Sequence, residues 1–169
     1  MAVGTTLISV EEYLRTNYEP RCEYIEGVLR QKPMPSWDHG ALEAQFCQLV
    51  NLGFPDFAAA SEVNVQIRPD KYLIPDVIIQ RRDRIQKPYP ILPVHVCIEI
   101  LSPEDRMSEL FAKCEQYHDW GVESAWVIDP ASRRAWEYRK AQLPSEIAPA
   151  GALTAEGISL PLSEIFSVL

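Results

Sequence analysis

Two stretches of this chain are apolar on both side-chain parities, Tyr72-Leu-Ile-Pro-Asp-Val-Ile-Ile79 and Val94-His-Val-Cys-Ile-Glu-Ile-Leu101. A strand that alternates apolar and polar residues can leave one face in water, but a strand apolar on both faces must be covered on both. The two runs therefore predict inner strands of a sheet held between other layers. Each run nevertheless contains one acid, Asp76 in the first and Glu99 in the second. A carboxylate is rarely buried without a partner, because nothing in an apolar interior replaces its hydration. Pro75, directly before Asp76, cannot donate to a sheet ladder and predicts a bulge or strand start that re-aims the acid.

The rest of the chain supplies the covering layers. Ser9 with Glu12 is a capping-box start for a short helix running toward Asn17, and Cys22 to Gln31 reads as two short strands meeting at Glu26-Gly27. Leu42, Phe46, Leu49 and Val50 recur at helical spacing and predict a helix from about Asp38 to Leu52. Val63, Val65 and Ile67 alternate as a half-buried strand. After the second apolar run, Met107, Leu110, Phe111, Cys114 and Tyr117 form a helical stripe stopped at Gly121, followed by a buried strand at Ala125 to Ile128 and an edge strand at Arg134 to Arg139. The order helix, strand, strand, strand, helix, strand predicts an α/β fold with a mixed central sheet flanked by helices and a crossover helix between later strands.

With 169 residues, 47% of them hydrophobic and 24% charged, the chain fits one folded domain over residues 1–169 and not a disordered or membrane-spanning chain. The longest uncharged candidate span, Pro88 to Ile98, is short and interrupted by prolines. Met1 to Tyr13 lacks a basic leader region and meets Glu11 and Glu12 early, so a cytoplasmic protein is expected. Cys22, Cys47, Cys97 and Cys114 show no paired spacing, which indicates neither a disulfide framework nor a zinc site. The net charge of -8 argues against indiscriminate coating of nucleic acid and leaves room for a local basic strip.

For either acid alone, pairing with an arginine or capping a loop is as good a reading as a functional one. Two of them on neighbouring strands would repel unless a cation lay between, and a hard divalent metal is the economical answer. Lys113 stands at the border of the apolar stripe on the following helix, where its stem can cross the sheet and bring the ammonium to the carboxylates. Two carboxylates that hold Mg²⁺ or Mn²⁺, with a cation nearby, are the groups that phosphodiester hydrolysis requires.

In combination, Pro75-Asp76, Ile98-Glu99-Ile100-Leu101-Ser102-Pro103, Glu109-Leu110-x-x-Lys113-x-x-x-Tyr117 and Trp126-Val127-Ile128-Asp129-Pro130 resemble the Uma-two family of the PD-(D/E)xK nuclease superfamily. Glu11-Glu12-Tyr13-Leu14, Glu23-x-Ile25-Glu26-Gly27 and Ser36-x-x-His39 look like further family segments, so the resemblance extends to about Arg139. It implies a restriction-endonuclease-like core and a Mg²⁺-dependent endonuclease acting on nucleic acid, with DNA as the expected substrate, Asp76 and Glu99 as metal ligands and Lys113 as the catalytic cation. The superfamily motif carries its lysine two residues after the glutamate, where this chain has Leu101. The resemblance implies that Lys113 takes over that charge from the next helix.

Glu23 is a further candidate ligand, whereas Glu26 is read as a turn residue. His39 could touch a phosphate or the metal site, or be a helix-terminal surface histidine. Arg81, Arg82, Arg84 and Lys87 form the densest positive patch in an acidic chain, either a solvated face or a source of phosphate contacts. Trp37, Trp120, Trp126 and Trp136 are read as core or interface residues rather than base-stacking platforms. The competing reading is a nuclease-fold module that binds nucleic acid or a protein partner without cutting, with a homodimer as one possible assembly.

Overall fold

The structure, a computed structural model, describes residues 7–169, so the first part of the segment read above for a leader lies outside it. Helix α1 (Val10–Arg15) is capped as expected, the Ser9 side chain accepting from the Glu12 amide at 3.1 Å. Strands β1 (Cys22–Ile25) and β2 (Val28–Gln31) form the expected hairpin, turning at Glu26 and Gly27 with φ of 52° and 89°. Helix α2 (Trp37–Gly53) follows, capped by the Ser36 side chain. Next come β3 (Phe57–Ser61), β4 (Val65–Arg68), β5 (Lys71–Leu73), β6 (Val77–Arg81) and β7 (Val96–Ile100). Helix α3 (Met107–Trp120) leads to β8 (Ser124–Asp129), β9 (Arg134–Arg139), β10 (Ser145–Glu146), β11 (Ala152–Ala155), β12 (Ile158–Pro161) and α4 (Leu162–Ile165).

The six-stranded sheet runs β10-β9-β8-β7-β6-β3 and is mixed: β7 and β8 are parallel, joined by α3, and the other pairs are antiparallel. A second, four-stranded sheet has the order β2-β1-β5-β4. On one face of the larger sheet, Val96, Ile98 and Ile100 pack with Leu42, Phe46 and Val50 of α2 and with the C-terminal Leu153, Leu160 and Ile165. On the opposite face Cys97 packs with Tyr117 of α3 and with Val65 and Leu73 of the smaller sheet. The doubly apolar run around β7 is thus covered on both sides, as its composition required.

The first apolar run departs from the expectation of one continuous strand. Its start, β5, belongs to the smaller sheet and its end, β6, to the larger, and Ile74-Pro75-Asp76 carries the chain between them. Pro75 has no amide to pair, so the ladder breaks there. Arg134–Arg139 is also not an edge along its whole length, because β10 pairs with it at Trp136 and Glu137. Strand β3 and the β11-β12 hairpin carry no strong sequence signal; the Ala-rich β3 gains its strand form by pairing with β6 from Phe57 to Ser61.

Helix α3 ends at Gly121 with φ of 119°, its amide donating back to Tyr117 and His118 carbonyls. A Cβ at this position would stand 2.8 Å from Pro93 Cγ. Gly121→Ala therefore combines backbone strain with a clash, and should lower unfolding stability by about 1–3 kcal/mol in a urea titration. An unchanged midpoint would show that the Pro93 loop yields freely.

Candidate functional site

The break at Pro75 builds the site. Extended by one residue from the Val77–Ile98 pair, the antiparallel register of β6 and β7 sets Asp76 opposite Glu99, on the α3 face of the sheet. Asp76 Oδ2 accepts the Ile100 amide at 2.6 Å, and so replaces the ladder bond the broken strand cannot make. The backbone of Ile74, freed from both sheets, is used as well. Its amide donates to Glu23 at 2.9 Å, and its carbonyl accepts from Lys32 and from Lys113, each at 3.2 Å.

Both lysines lie between acids. Lys113 Nζ is 2.8 Å from Glu23 and 3.0 Å from Glu99, and Lys32 Nζ is 2.8 Å from Asp76 and pairs with Glu62. The Tyr117 hydroxyl donates to the other Glu99 oxygen at 2.5 Å. From the first turn of α2, His39 Nε2 lies 3.2 Å from Glu43 and 3.4 Å from Asp76, and its Nδ1 lies 3.2 Å from the Ser102 hydroxyl. Asp76 and Glu99 are 3% and 4% exposed, burial that only such dense partnering makes tolerable. The acids, the two lysines, His39 and Ser102 line a cavity of about 380 Å³, together with Pro33, Met34 and Pro35.

Burial and pairing pull the titrations apart. Burial pushes Glu99 up to about 7, more than the Lys113 ammonium can offset. Burial would also raise Asp76, but the His39 hydrogen bond and the Lys32 ammonium hold its carboxyl well below the usual carboxylate range. Desolvation would lower His39, and hydrogen bonds to Asp76 and Glu43 overcome it and raise the imidazolium to about 9. Lys113 is raised in the same way against its burial, by Glu23 and Glu99, so it is an ammonium at neutral pH. The two carboxylates of one site are thus pushed in opposite directions, Glu99 up and Asp76 down, an arrangement found at reactive centres.

Asp76, Glu99, Lys113, Glu23 and His39, singled out from sequence, all meet in this cavity. Lys113 is less peripheral than its place at the stripe border suggested, since its side chain is 13% exposed. Lys32, Glu43 and Tyr117 were not recognised as site residues: Lys32 follows the hairpin in a proline-rich stretch, Glu43 reads as the polar side of α2, and Tyr117 fits the apolar stripe of α3. A weak cue was the i, i+4 spacing of His39 and Glu43. Glu26 is confirmed as a turn residue, exposed and paired with Arg68.

The basic patch is not brought to the cavity. Arg81, Arg82 and Arg84 lie at the far end of β6 from Asp76, roughly 16 Å along the strand at about 3.3 Å per residue. Arg82 holds the Pro55 carbonyl at 2.9 Å and Arg81 covers the Phe57 ring, so both brace the α2–β3 connection. The tryptophans divide: Trp126 is fully buried, as expected, whereas Trp37 is 86% exposed.

The donors present suit a divalent cation. Around one cavity the carboxylates of Glu19, Glu23, Glu43, Glu62, Asp76, Glu99, Asp105 and Glu109 outnumber the cations Arg21, Arg30, Lys32, Lys113 and His39, and oxygen-rich, negatively charged surroundings are what Mg²⁺ and Mn²⁺ prefer. His39, Glu43 and Asp76 each offer a ligand atom, all within 4.8 Å of one another. No helix among the described residues is long and apolar enough to cross a membrane.

Comparison with known proteins agrees with this fold. The chain is similar over 95% of its length to 98% of a putative nuclease belonging to DUF820 from Anabaena variabilis, whose crystal structure superposes with a TM-score of 0.79 at 25% sequence identity. No curated protein matches the sequence. Residues 10–166 match the Uma2 family, described as "Putative restriction endonuclease". The mixed sheet, the covered β7 and the coverage of that match agree, and the chain belongs to the Uma2 family.

Proposed function

We propose that this protein is a divalent-metal-dependent endonuclease that hydrolyses phosphodiester bonds of DNA. The observation that carries the reading is the facing pair Asp76 and Glu99, buried in one cavity with an excess of carboxylates and with Lys113 at 3.0 Å. Asp76 and Glu99, aided by His39 and Glu43, would hold Mg²⁺ or Mn²⁺, which supplies phosphate polarisation and a more acidic water. Glu23 fixes the Lys113 ammonium and the Ile74 amide and is a positioning residue. Lys113, protonated at neutral pH, stabilises the negative charge that grows on the phosphorane oxygens and does not act as a base. Lys32 holds one oxygen of Asp76 and leaves the carboxylate ionised. The buried Tyr117 hydroxyl orients Glu99.

A second reading rests on the same ion pairs. Lys32 and Lys113 already partner Asp76 and Glu99, as a module that binds nucleic acid without cutting it would require. Nicking of supercoiled plasmid by the purified protein with Mg²⁺ or Mn²⁺ separates the two. Cleavage supports the enzyme, whereas DNA binding with no nicking under either metal assigns the chain to the binding module.

Lys113→Ala leaves Glu23 and Glu99 buried without their cation, so a loss of about 3–5 kcal/mol of stability accompanies the substitution. Lys113→Gln keeps the stem and a donor, and is the better variant. Nicking should fall about 100- to 1000-fold while circular dichroism stays that of the wild type. Nicking at the wild-type rate by a folded Lys113→Gln protein would remove the lysine from the mechanism.

Metal binding should also be linked to pH. Glu99 at about 7 and His39 at about 9 both hold protons in the metal-free protein that a cation must displace. Both folded values lie above the ordinary ones of 4.5 and 6.5. Their contribution to metal-free stability is therefore present at low pH and is lost as pH rises through about 7 and about 9. The Tm gain from millimolar Mg²⁺ or Mn²⁺ should grow in the opposite sense, small near about pH 6 and largest near about pH 8.5. A Tm indifferent to both metals at the higher pH would contradict a preformed metal site.

A further inference from the structure

The β1-β2 hairpin faces the first two turns of α3 across the cavity, and two ion pairs join them side by side. Glu23 and Arg30 stand directly opposite each other in the antiparallel register, so their side chains share one face of the hairpin. Glu109 and Lys113, four residues apart, share one face of α3. The signs are crossed: Glu23 meets Lys113 at 2.8 Å, and Arg30 meets Glu109 at 3.7 Å. All four residues line the cavity that holds Asp76 and Glu99.

The two pairs are held very differently. The Glu23 and Lys113 side chains are 5% and 13% exposed, whereas those of Arg30 and Glu109 are 56% and 50% exposed. A solvated pair at that longer distance contributes little, so either partner can leave it at small cost. The other cations of the cavity are committed. Lys113 lies between Glu23 and Glu99, Lys32 between Asp76 and Glu62, and His39 between Asp76 and Glu43. Arg21 holds the Glu62 carbonyl and the Asn64 side chain. Among the described residues Arg30 has Glu109 alone.

Carboxylates outnumber cations around this cavity, so an incoming polyanion is repelled wherever no cation meets it. A divalent metal offsets that repulsion at one phosphate, and a phosphate beside it needs a cation from the protein. A guanidinium suits the task, because its fork of donors matches phosphate oxygens two at a time. We propose that Arg30 is the backbone-phosphate contact of this cavity and Glu109 its latch: incoming nucleic acid takes Arg30 from Glu109, and the phosphate so held presents its neighbour to Asp76, Glu99 and Lys113. This rests on the reading of the cavity as the nucleic-acid site and adds the group that grips the strand.

Affinity for a short labelled DNA duplex is measured by anisotropy over a range of salt, with Ca²⁺ in place of Mg²⁺, and kcat and KM for nicking are measured with Mg²⁺ or Mn²⁺. Arg30→Ala should weaken binding about tenfold, reduce the salt slope by about 1 and raise KM while kcat stays within about twofold; Arg30→Lys should recover most of the affinity. Glu109→Gln should tighten binding about threefold, and by less than about 1.3-fold where Arg30 is already replaced by alanine. Both side chains are half in water, so Tm and circular dichroism should stay those of the wild type. The affinity measurements decide the matter equally if the protein binds without cutting. Wild-type affinity and salt slope in Arg30→Ala would overturn the contact. An equal gain from Glu109→Gln in both backgrounds would reduce that acid to general repulsion and overturn the latch. Nicking that persists at the wild-type rate and KM in Arg30→Ala leaves the nuclease reading standing without this contact, whereas a wild type that neither binds nor nicks DNA removes both.

Discussion

Everything at the centre of this protein depends on a break in one strand. Pro75 cannot contribute a hydrogen-bond donor, and the chain uses that gap to leave the smaller sheet after β5 and enter the larger one at β6. Two consequences follow from one missing amide. The Ile74 backbone is released to bind Glu23, Lys32 and Lys113, and Asp76 turns its carboxylate onto the Ile100 amide beside Glu99. The sheets are therefore joined by the same atoms that make the site, so the site cannot be loosened without loosening the join.

Charge burial makes this join demanding. Each carboxylate deep in the cavity has at least one cation or donor, and each lysine lies between acids. Such a network adds little net stability relative to an apolar core, because desolvation consumes most of the Coulombic gain, but removing one member leaves a charge with no partner. A cluster of that kind is an expensive way to hold two sheets together and an effective way to keep its charged groups fixed. The packing around it is correspondingly complete: α2 and the C-terminal hairpin cover one face of β7, and α3 with the smaller sheet covers the other.

The helices do more than cover. Helix α3, stopped at Gly121, carries both Lys113 and Tyr117 to Glu99. Helix α2 brings His39 and Glu43 to Asp76 from its first two turns. The sheet end that collects these groups is the opposite end from Arg81 and Arg84, which separates the buried carboxylates from the positive patch most visible in the sequence.

The sequence by itself determined the elements that must be covered and the residues that did not belong there. Continuous apolar runs force burial on two faces whatever the surrounding topology, and an acid in such a run needs a partner whatever that partner is. Asp76, Glu99 and the capped helices α1 and α2 were therefore legible, as was Lys113 at the border of the apolar stripe of α3, to which the family resemblance gave a role. Which donors meet those acids was settled by the tertiary structure. Lys32 and Tyr117 lie 44 and 18 residues from the acids they serve, and each occupies a position that local periodicity explains without any function. The same holds for β3, whose alanines have no strand preference until β6 lies beside them. Local propensity and hydrophobic period act over a few residues; charge pairing across sheets is a long-range contact, settled only when the two sheets meet.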